Sequence, residues 1–456
     1  MGLGLHGGGV ATAKFFVEQG AQVTVTDLKI DADLTLSLEE LRRYDIRYVL
    51  GRHEEEDFKK ADLIIQNPGV PSDSHYLKIA QKYKIPILTD IGIFFELCPS
   101  NDIIGITGTK GKSTTASLIY KIIKGIKKDV ILAGNIRLSP LSLLENISSQ
   151  TTIVLELSSW QLEGLAKHKK SPHIAVITNI YPDHLNAYKT MADYIQAKEL
   201  IFKFQKQQDY IILNYDNEVL KKHKFLFNLP NAFWFSRSAI PPGNGAYLDQ
   251  KKKQFVFQTN GFAHTIVALD EVRIQGEHNL ENVLAAICAS AIWGVKRSRI
   301  ADGIRSFNGL ADRMELIEEI DGIKYYNDTT ATMPEASMNA VRALKSQGKI
   351  ILIAGGADKG LIYKEWAKVI FKLVKSIIFL KGSATDKMIK ELKKIAKSQM
   401  QDFKVFDSMA KAVQSAQGLA KKGDIVLLSP GAASFGFFQH EFDRGEQFKA
   451  CVSGLR

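Results

Sequence analysis

Between Asp102 and Thr115 the chain reads Asp-Ile-Ile-Gly-Ile-Thr-Gly-Thr-Lys-Gly-Lys-Ser-Thr-Thr, and no other stretch restricts the fold as tightly. Ile103, Ile104 and Ile106 make an apolar run suited to a buried strand. A glycine turn follows, then Lys112, Ser113 and a helix-like segment from Ala116 to Ile123. Strand, glycine loop and helix in that order form a cradle for phosphate. Gly108, Thr109, Lys110 and Gly111 offer backbone N–H groups, and the helix N-terminus faces the anion. Lys112 adds a point charge, and a hydroxyl at Ser113 or Thr114 can hold Mg²⁺. The full pattern wants a glycine five residues before Gly111, where this chain has Ile106. The loop is the shorter form Gly108-Thr-Lys-Gly-Lys-Ser. A solvated Gly/Lys surface turn would not need apolar flanks on both sides.

A length of 456 residues suggests about three domains. Ordinary hydrophobic and charged contents point to a globular protein. No apolar run approaches the ~18 residues of a membrane span, and no signal peptide is visible, so no membrane insertion is expected. Cys98, Cys288 and Cys451 are too far apart for a disulfide framework or a zinc knuckle, and a reducing cytoplasm is expected. The net charge of +11 fits nucleic acid or anionic small substrates. The lysines are scattered and do not interleave with exposed aromatics, which argues against nucleic acid.

The alternation of strand and helix patterns predicts an α/β chain of three domains, 1–98, 99–296 and 297–456. The outer two read as Rossmann-like and the central one as a mainly parallel, P-loop ATPase-like sheet. Near the start, Gly2, Gly4 and Gly7 form G-x-G-x-x-G and run into a helix-like Val10 to Gln19. Asp27 ends the next strand, about 20 residues on, where an acid meets a ribose in a Rossmann unit. That motif should follow a strand, and none precedes Gly2 here, so part of the first sheet is expected to be unpaired. Strands are predicted at 45–50, 61–66 and 85–88. The second ends in Asn67-Pro-Gly69, a turn at the strand end where open α/β sheets bind ligands.

In the central block, strand 152–157 ends in Glu156-Leu-Ser-Ser-Trp-Gln-Leu-Glu163. A carboxylate at such an end, beside a phosphate loop, is where an NTPase places a Mg²⁺ acid. Strand 174–178 leads to Asn179-Ile-Tyr-Pro-Asp-His184; His184 reads as a metal ligand or a loop cap. Residues 190–204 read as an amphipathic helix on which Lys198, taken alone, is a solvated lysine. Asn279 and Asn282 share a helix face. In the last block, strands are expected at 314–320, 323–326, 349–354, 376–380, 403–406 and 424–428. Polar glycine-rich loops at three of their ends form a ligand crevice.

Taken together, Gly108 to Thr114, Glu156 to Glu163, Asp183-His184, Gly276-Glu-His-Asn279, Asn327-Asp-Thr-Thr-Ala-Thr332 and Leu428-Ser-Pro-Gly-Ala-Ala-Ser434 resemble the Mur ligases. These are ATP-dependent amide-forming enzymes of peptidoglycan precursor synthesis. The resemblance spans essentially the whole chain, and Glu156-Leu-Ser-Ser-Trp-Gln favours the branch that adds D-glutamate. It implies that ATP phosphorylates the alanyl carboxylate of UDP-N-acetylmuramoyl-L-alanine and that the D-glutamate amine displaces phosphate. It also implies ATP and Mg²⁺ as cofactors and a monomer.

By the same resemblance, Lys112 holds the β/γ-phosphates, and Ser113, Glu156 and His184 bind Mg²⁺. Lys198 matches a lysine carried as a carbamate, which would make it an anionic metal ligand. Asn279, Asn282, Arg313 and Asp328 surround the nucleotide, with Arg313 as a charge clamp. Leu5, His6, Asp27, Asn67 and Gly69 take the uridine diphosphate, and Asn135, Ser158 and Gln161 the muramoyl-alanine. Thr332, Lys359, Ser434 and Phe435 take the amino acid. Three positions depart from the family pattern: Thr330 stands where lysine is common, Glu441 where an aromatic is usual, and Asp312 where histidine precedes the arginine. A hydroxyl is a weaker anion partner than an ammonium, so Lys359 must compensate or the acceptor differs.

Other readings explain less. A folylpolyglutamate synthase shares the loop but not the segment at Glu156 or the N-terminal glycine motif. A sister Mur ligase would differ only in its acceptor. An NAD-dependent oxidoreductase would leave the phosphate loop without a purpose.

Overall fold

The computed structural model describes residues 1–456 except 5–6, 72, 137, 183–187, 189, 223–228, 230, 275, 359, 397–402 and 456. Two compact units divide the chain: residues 1–272 with 277–307, and residues 273–276 with 308–456.

The first unit begins with two parallel ribbons. β1 (Val23–Asp27) pairs with β2 (Ile46–Leu50), and β3 (Ile64–Ile65) with β4 (Ile87–Leu88). Residues 1–3 lie between the ribbons. Gly2 N–H donates to Thr26 O at 2.8 Å, and Asn67 N–H donates to Met1 O at 3.0 Å. The Met1 amine donates to Ile65 O at 2.9 Å, and burial pushes it down to about 6. A cavity of about 600 Å³ lies beside Met1, with Val23, Thr24, Leu63 and Ile64 among its lining residues. The strand expected at 61–66 shrinks to Ile64–Ile65, because a parallel ladder extends only as far as its partners.

The large sheet runs β13–β12–β11–β10–β9–β8–β5–β7–β6. Its strands are β5 (Ile103–Thr107), β6 (Val130–Gly134), β7 (Thr152–Glu156), β8 (Ile174–Ile177), β9 (Tyr210–Asn214), β10 (Ala232–Ser236), β11 (Asn244–Asp249), β12 (Gln254–Thr259) and β13 (Phe262–Ala268). Pairing is parallel from β6 to β11 and antiparallel in the last two ladders. β5, β7 and β8 are buried throughout, as continuous β-branched runs require in a covered parallel sheet. The chain leaves β5 towards β6 on one side and returns to β8 on the other. A crevice therefore opens at the C-terminal ends of β5, β7 and β8. The helix Arg297–Arg305, read in the sequence as the start of the last block, packs in this unit. Ile300, Ala301 and Ile304 are buried, and Gly303 lies so close to Ile122 that a Cβ would meet its Cγ1 at 2.5 Å.

The second unit holds a sheet ordered β14–β15–β19–β16–β17–β18. Its strands are β14 (Glu315–Ile320), β15 (Ile323–Asn327), β16 (Ile350–Ala354), β17 (Ser376–Leu380), β18 (Lys404–Phe406) and β19 (Ile425–Leu428). β14 is an antiparallel edge and the rest are parallel. The crossover from β15 to β16 passes over β19, so the loops after these three strands converge at a second switch point.

Candidate active site

The phosphate loop sits where β5 meets the helix Lys112–Lys124. Ile106, the position that lacks the further glycine, is a fully buried strand residue, which is why the loop is short. Two glycines set its shape. Gly108 has φ +149, and a Cβ there would lie 1.9 Å from Thr178 Oγ1. Gly111 caps the helix at φ +85, and a Cβ there would lie 2.2 Å from Asn282 Oδ1. A side chain at either position would meet a neighbour as well as a strained backbone.

Neighbouring strands pin the loop. Thr109 N–H donates to Asn179 O at 2.9 Å, and Lys110 N–H donates to Asn179 Oδ1 at 2.9 Å. Thr178 Oγ1–H and Asn179 Nδ2–H both donate to Lys110 O, at 2.6 and 3.1 Å. The Thr109 hydroxyl lies 3.2 Å from the Tyr194 hydroxyl. Lys112 Nζ curls back onto Gly108 O and Thr109 O, at 3.0 and 3.2 Å. Ser113 and Thr114 are half-buried at the helix start. On the helix Glu277–Ile292, Asn279 and Asn282 face the same loop. Asn282 Nδ2–H donates to Asn279 Oδ1 at 2.9 Å, and Asn282 Oδ1 accepts from the Thr115 hydroxyl at 3.3 Å.

Glu156 ends β7 next to this loop and is 1% exposed. Asn135 Nδ2–H donates to its Oε1 at 2.8 Å, while Oε2 is buried with no hydrogen-bond partner among the described residues. Such an orphaned oxygen is costly unless something completes it. Among the described residues no group of three or more His, Cys, Asp or Glu forms a metal cluster. Mg²⁺ does not need one, since it is held by one or two carboxylates plus substrate phosphates and water. The donors here fit that ion.

Lys198 corrects its isolated reading as a solvated residue. It is 2% exposed, donates to Gly108 O at 3.0 Å, and stands 4.6 Å from the centre of the Tyr194 ring. The helix Met191–Lys203 is amphipathic with Lys198 on its inner side, a placement that periodicity alone could not give. His184, Leu5, His6 and Lys359 lie outside the described residues.

Ser158 and Gln161 form a capping box at the start of the helix Ser159–Ala166. Asn135 is exposed beside Glu156. In the N-terminal layer, Asp27 Oδ2 accepts from Gly4 N–H at 3.1 Å and Oδ1 from Lys29 N–H at 2.9 Å. Asn67 Oδ1 accepts from Gly69 N–H at 3.1 Å.

In the second unit, the loops after β15, β16 and β19 are tied together. Ala357 and Ala433 form a bridge. Asp328 is buried; its Oδ2 accepts from the Ser429 hydroxyl at 2.7 Å and its Oδ1 from Met314 N–H at 3.2 Å. Arg444 is fully buried. It donates to Thr329 Oγ1, Thr329 O and Ala432 O at 3.0, 2.8 and 3.2 Å. Ser434 is buried and Phe435 exposed, and Thr332 N–H donates to Thr330 O at 2.8 Å. The Thr330 hydroxyl donates to Asp312 O at 2.9 Å, so its proton is already engaged. Arg313 is exposed at the edge of these loops. Sequence reasoning missed Thr178, Asn179 and Arg444. The first two carried the signal of polar residues ending an apolar strand; Arg444 sits in a charged helix and carried none.

Burial raises the Asp328 carboxyl to about 7, against the pull of Ser429, Met314 N–H, Arg313 and Arg444. The native state therefore binds this proton more tightly than the unfolded chain, whose carboxyl titrates near ~3.9. Its stabilising contribution is complete below that value and is lost as pH rises through about 7. Melting wild type and Asp328→Asn from pH 4 to 8 should show the variant gaining on wild type as pH rises. A constant difference would contradict the assignment.

Family models match along the chain in order. "Mur ligase MurD-like, N-terminal domain" matches residues 1–89, "Mur ligase middle domain" residues 106–290, and "Mur ligase, glutamate ligase domain" residues 312–431. Among curated proteins, a UDP-N-acetylmuramoylalanine–D-glutamate ligase of Roseiflexus sp. is 42% identical, over 100% of this chain and 98% of the relative. The protein of that name in Borreliella afzelii is 39% identical, over 100% and 97%. Solved structures share the fold. The UDP-N-acetylmuramate-alanine ligase MurC of Thermotoga maritima superposes with TM-score 0.62 at 17% identity, covering 100% of this chain and 98% of that one. The MurF ligase of Thermotoga maritima, in complex with ADP, gives 0.56 at 17%, covering 96% and 97%. With models in order along its length and relatives matched end to end, the chain belongs to the Mur ligase family.

Proposed function

We propose that this chain joins D-glutamate to UDP-N-acetylmuramoyl-L-alanine at the expense of ATP. The observation that carries the reading is the short phosphate loop facing Glu156, whose buried Oε2 lacks a partner among the described residues. Residues 1–98 take the uridine diphosphate substrate, 99–296 with the helix Arg297–Arg305 the ATP, and the rest of the 297–456 block the amino acid.

The chemistry has two steps. An alanyl carboxylate oxygen takes the γ-phosphoryl group of ATP, giving an acyl phosphate and ADP. The neutral D-glutamate amine then attacks the acyl carbon, phosphate leaves, and the amine loses a proton. Splitting the reaction replaces a poor leaving group by a good one. The protein's share is mostly positioning and charge neutralisation. Lys112 neutralises the β/γ-phosphates, and the N–H groups of residues 108–111 orient them. Asn279 and Asn282 hold the nucleotide. Glu156, Ser113, His184 and Lys198 as a carbamate would hold Mg²⁺, which when bound supplies charge neutralisation at the phosphates. Arg313 adds positive charge to the transferred group, and Asp328 orders the loops around it. Asn135, Ser158 and Gln161 meet the muramoyl-alanine. Thr332, Lys359, Ser434 and Phe435 meet the amino acid.

The test is phosphate release from ATP, Mg²⁺ and UDP-N-acetylmuramoyl-L-alanine across a panel of D- and L-amino acids. Release should depend on D-glutamate. Release that no amino acid stimulates would sink the ligase reading. Release with another acceptor would sink only the D-glutamate assignment, and the engaged hydroxyl of Thr330 makes that comparison informative.

A further inference from the structure

We propose that Asp312 is the positioning residue for Arg313: its contacts with the loop after β15 preset where the guanidinium is delivered. The inference rests on the role given to Arg313 above. Asp312 has φ 66 and Met314 has φ 47, so two non-glycine residues in left-handed backbone flank Arg313. Such conformations persist only where the surroundings over-determine them.

The surroundings do so on every side. Asp312 N–H donates to Glu315 Oε2 at 2.8 Å. Asp312 O accepts from Thr330 N–H at 3.2 Å and from the Thr330 hydroxyl at 2.9 Å. Asp312 Oδ1 accepts from Asn327 Nδ2–H at 2.8 Å. Met314 N–H is taken by Asp328, and Arg313 N–H donates to Leu310 O at 3.3 Å. From the C-terminal helix Glu441–Ser453, Lys449 Nζ stands 3.4 Å from Asp312 Oδ1 and 3.1 Å from Glu315 Oε2. Gly445 leaves room for the Asp312 carboxylate, since a Cβ there would lie 2.5 Å from Oδ1. Asp312 is 8% exposed, whereas Arg313 points outward from this fixed turn. A long, rotamer-rich cation is useful as a clamp only if its root does not move. Among the described residues, Asp312 joins the root to Asn327, Thr330 and Lys449 at once.

The experiment is a kinetic double-mutant cycle on the full chain: wild type, Asp312→Ala, Arg313→Ala and the double variant, read as amino-acid-dependent phosphate release. Asp312→Ala should lower kcat about ten- to hundredfold, with a much smaller change in KM for ATP. In the Arg313→Ala background the same substitution should cost less than about twofold, because the effect travels through Arg313. Asp312→Asn, which keeps the acceptor for Asn327, should stay within about threefold of wild type. Gly445→Ala, which displaces the carboxylate from outside, should reproduce the Asp312→Ala pattern. It replaces that variant in the cycle if Asp312→Ala does not fold. Wild-type kcat in Asp312→Ala or Gly445→Ala, or losses that multiply in the double variant, overturns the inference while leaving the function intact. Wild-type kcat in Arg313→Ala instead overturns the role of Arg313 itself.

Discussion

Replacing Lys198 by alanine is expected to lower kcat at least about hundredfold, a loss of about 3 kcal/mol in transition-state stabilisation, and short carboxylic acids should restore part of it. The argument starts from burial. A fully enclosed ammonium is costly, and this one is 2% exposed and shares Gly108 O with Lys112. Two cations on one carbonyl make a poor site for a divalent ion. Converting the amine to a carbamate reverses the sign and provides oxygen ligands of the kind Mg²⁺ requires. A carboxylate from solution can stand in for the missing group, whereas Lys198→Arg should stay inactive because a guanidinium cannot be carbamylated. Labelled bicarbonate should give the wild type a carbamate signal that the variant lacks. An unaffected Lys198→Ala would refute the role, and a folded but unrescuable variant would reduce it to packing.

The second large effect is on stability. Arg444→Lys should destabilise the chain by about 3–5 kcal/mol, more than Arg444→Met at about 1–3 kcal/mol. Burial drags the guanidinium down to about 10, and Glu441 and Asp328 only partly oppose this. Methionine removes that cost, but it leaves Thr329 O and Ala432 O without their donor. Lysine keeps a charge inside while its compact ammonium cannot span the three oxygens that the planar fork reaches. Denaturant melts of the two variants decide the order. If methionine proves the worse replacement, keeping a donor for these oxygens outweighs the cost of burying a charge.

The phosphate loop and the helix behind it were legible because each part has its own local signature. An apolar strand, glycines at left-handed positions and a Lys-Ser helix start are fixed by sequence neighbours. Glu156 was legible for the same reason, as an acid closing a strong strand. The short β3 was not, because its length depends on how far residues 1–3 and β4 extend beside it. The helix Arg297–Arg305 was assigned to the last block because the pattern shows an amphipathic helix but not the partner of its apolar face.

Residue chemistry in sequence thus determined the α/β class, the phosphate cradle and the family of this protein. These rest on periodicity and on motifs whose parts are adjacent in the chain. Tertiary structure alone decided the burial of Lys198, the pinning of the loop by Thr178 and Asn179, and the ties of Asp312 and Arg444 to distant loops. The physical reason is the same in each case. A polar side chain acquires its role from partners brought to it by packing, and the desolvation that makes the partnership strong exists only once the chain has folded.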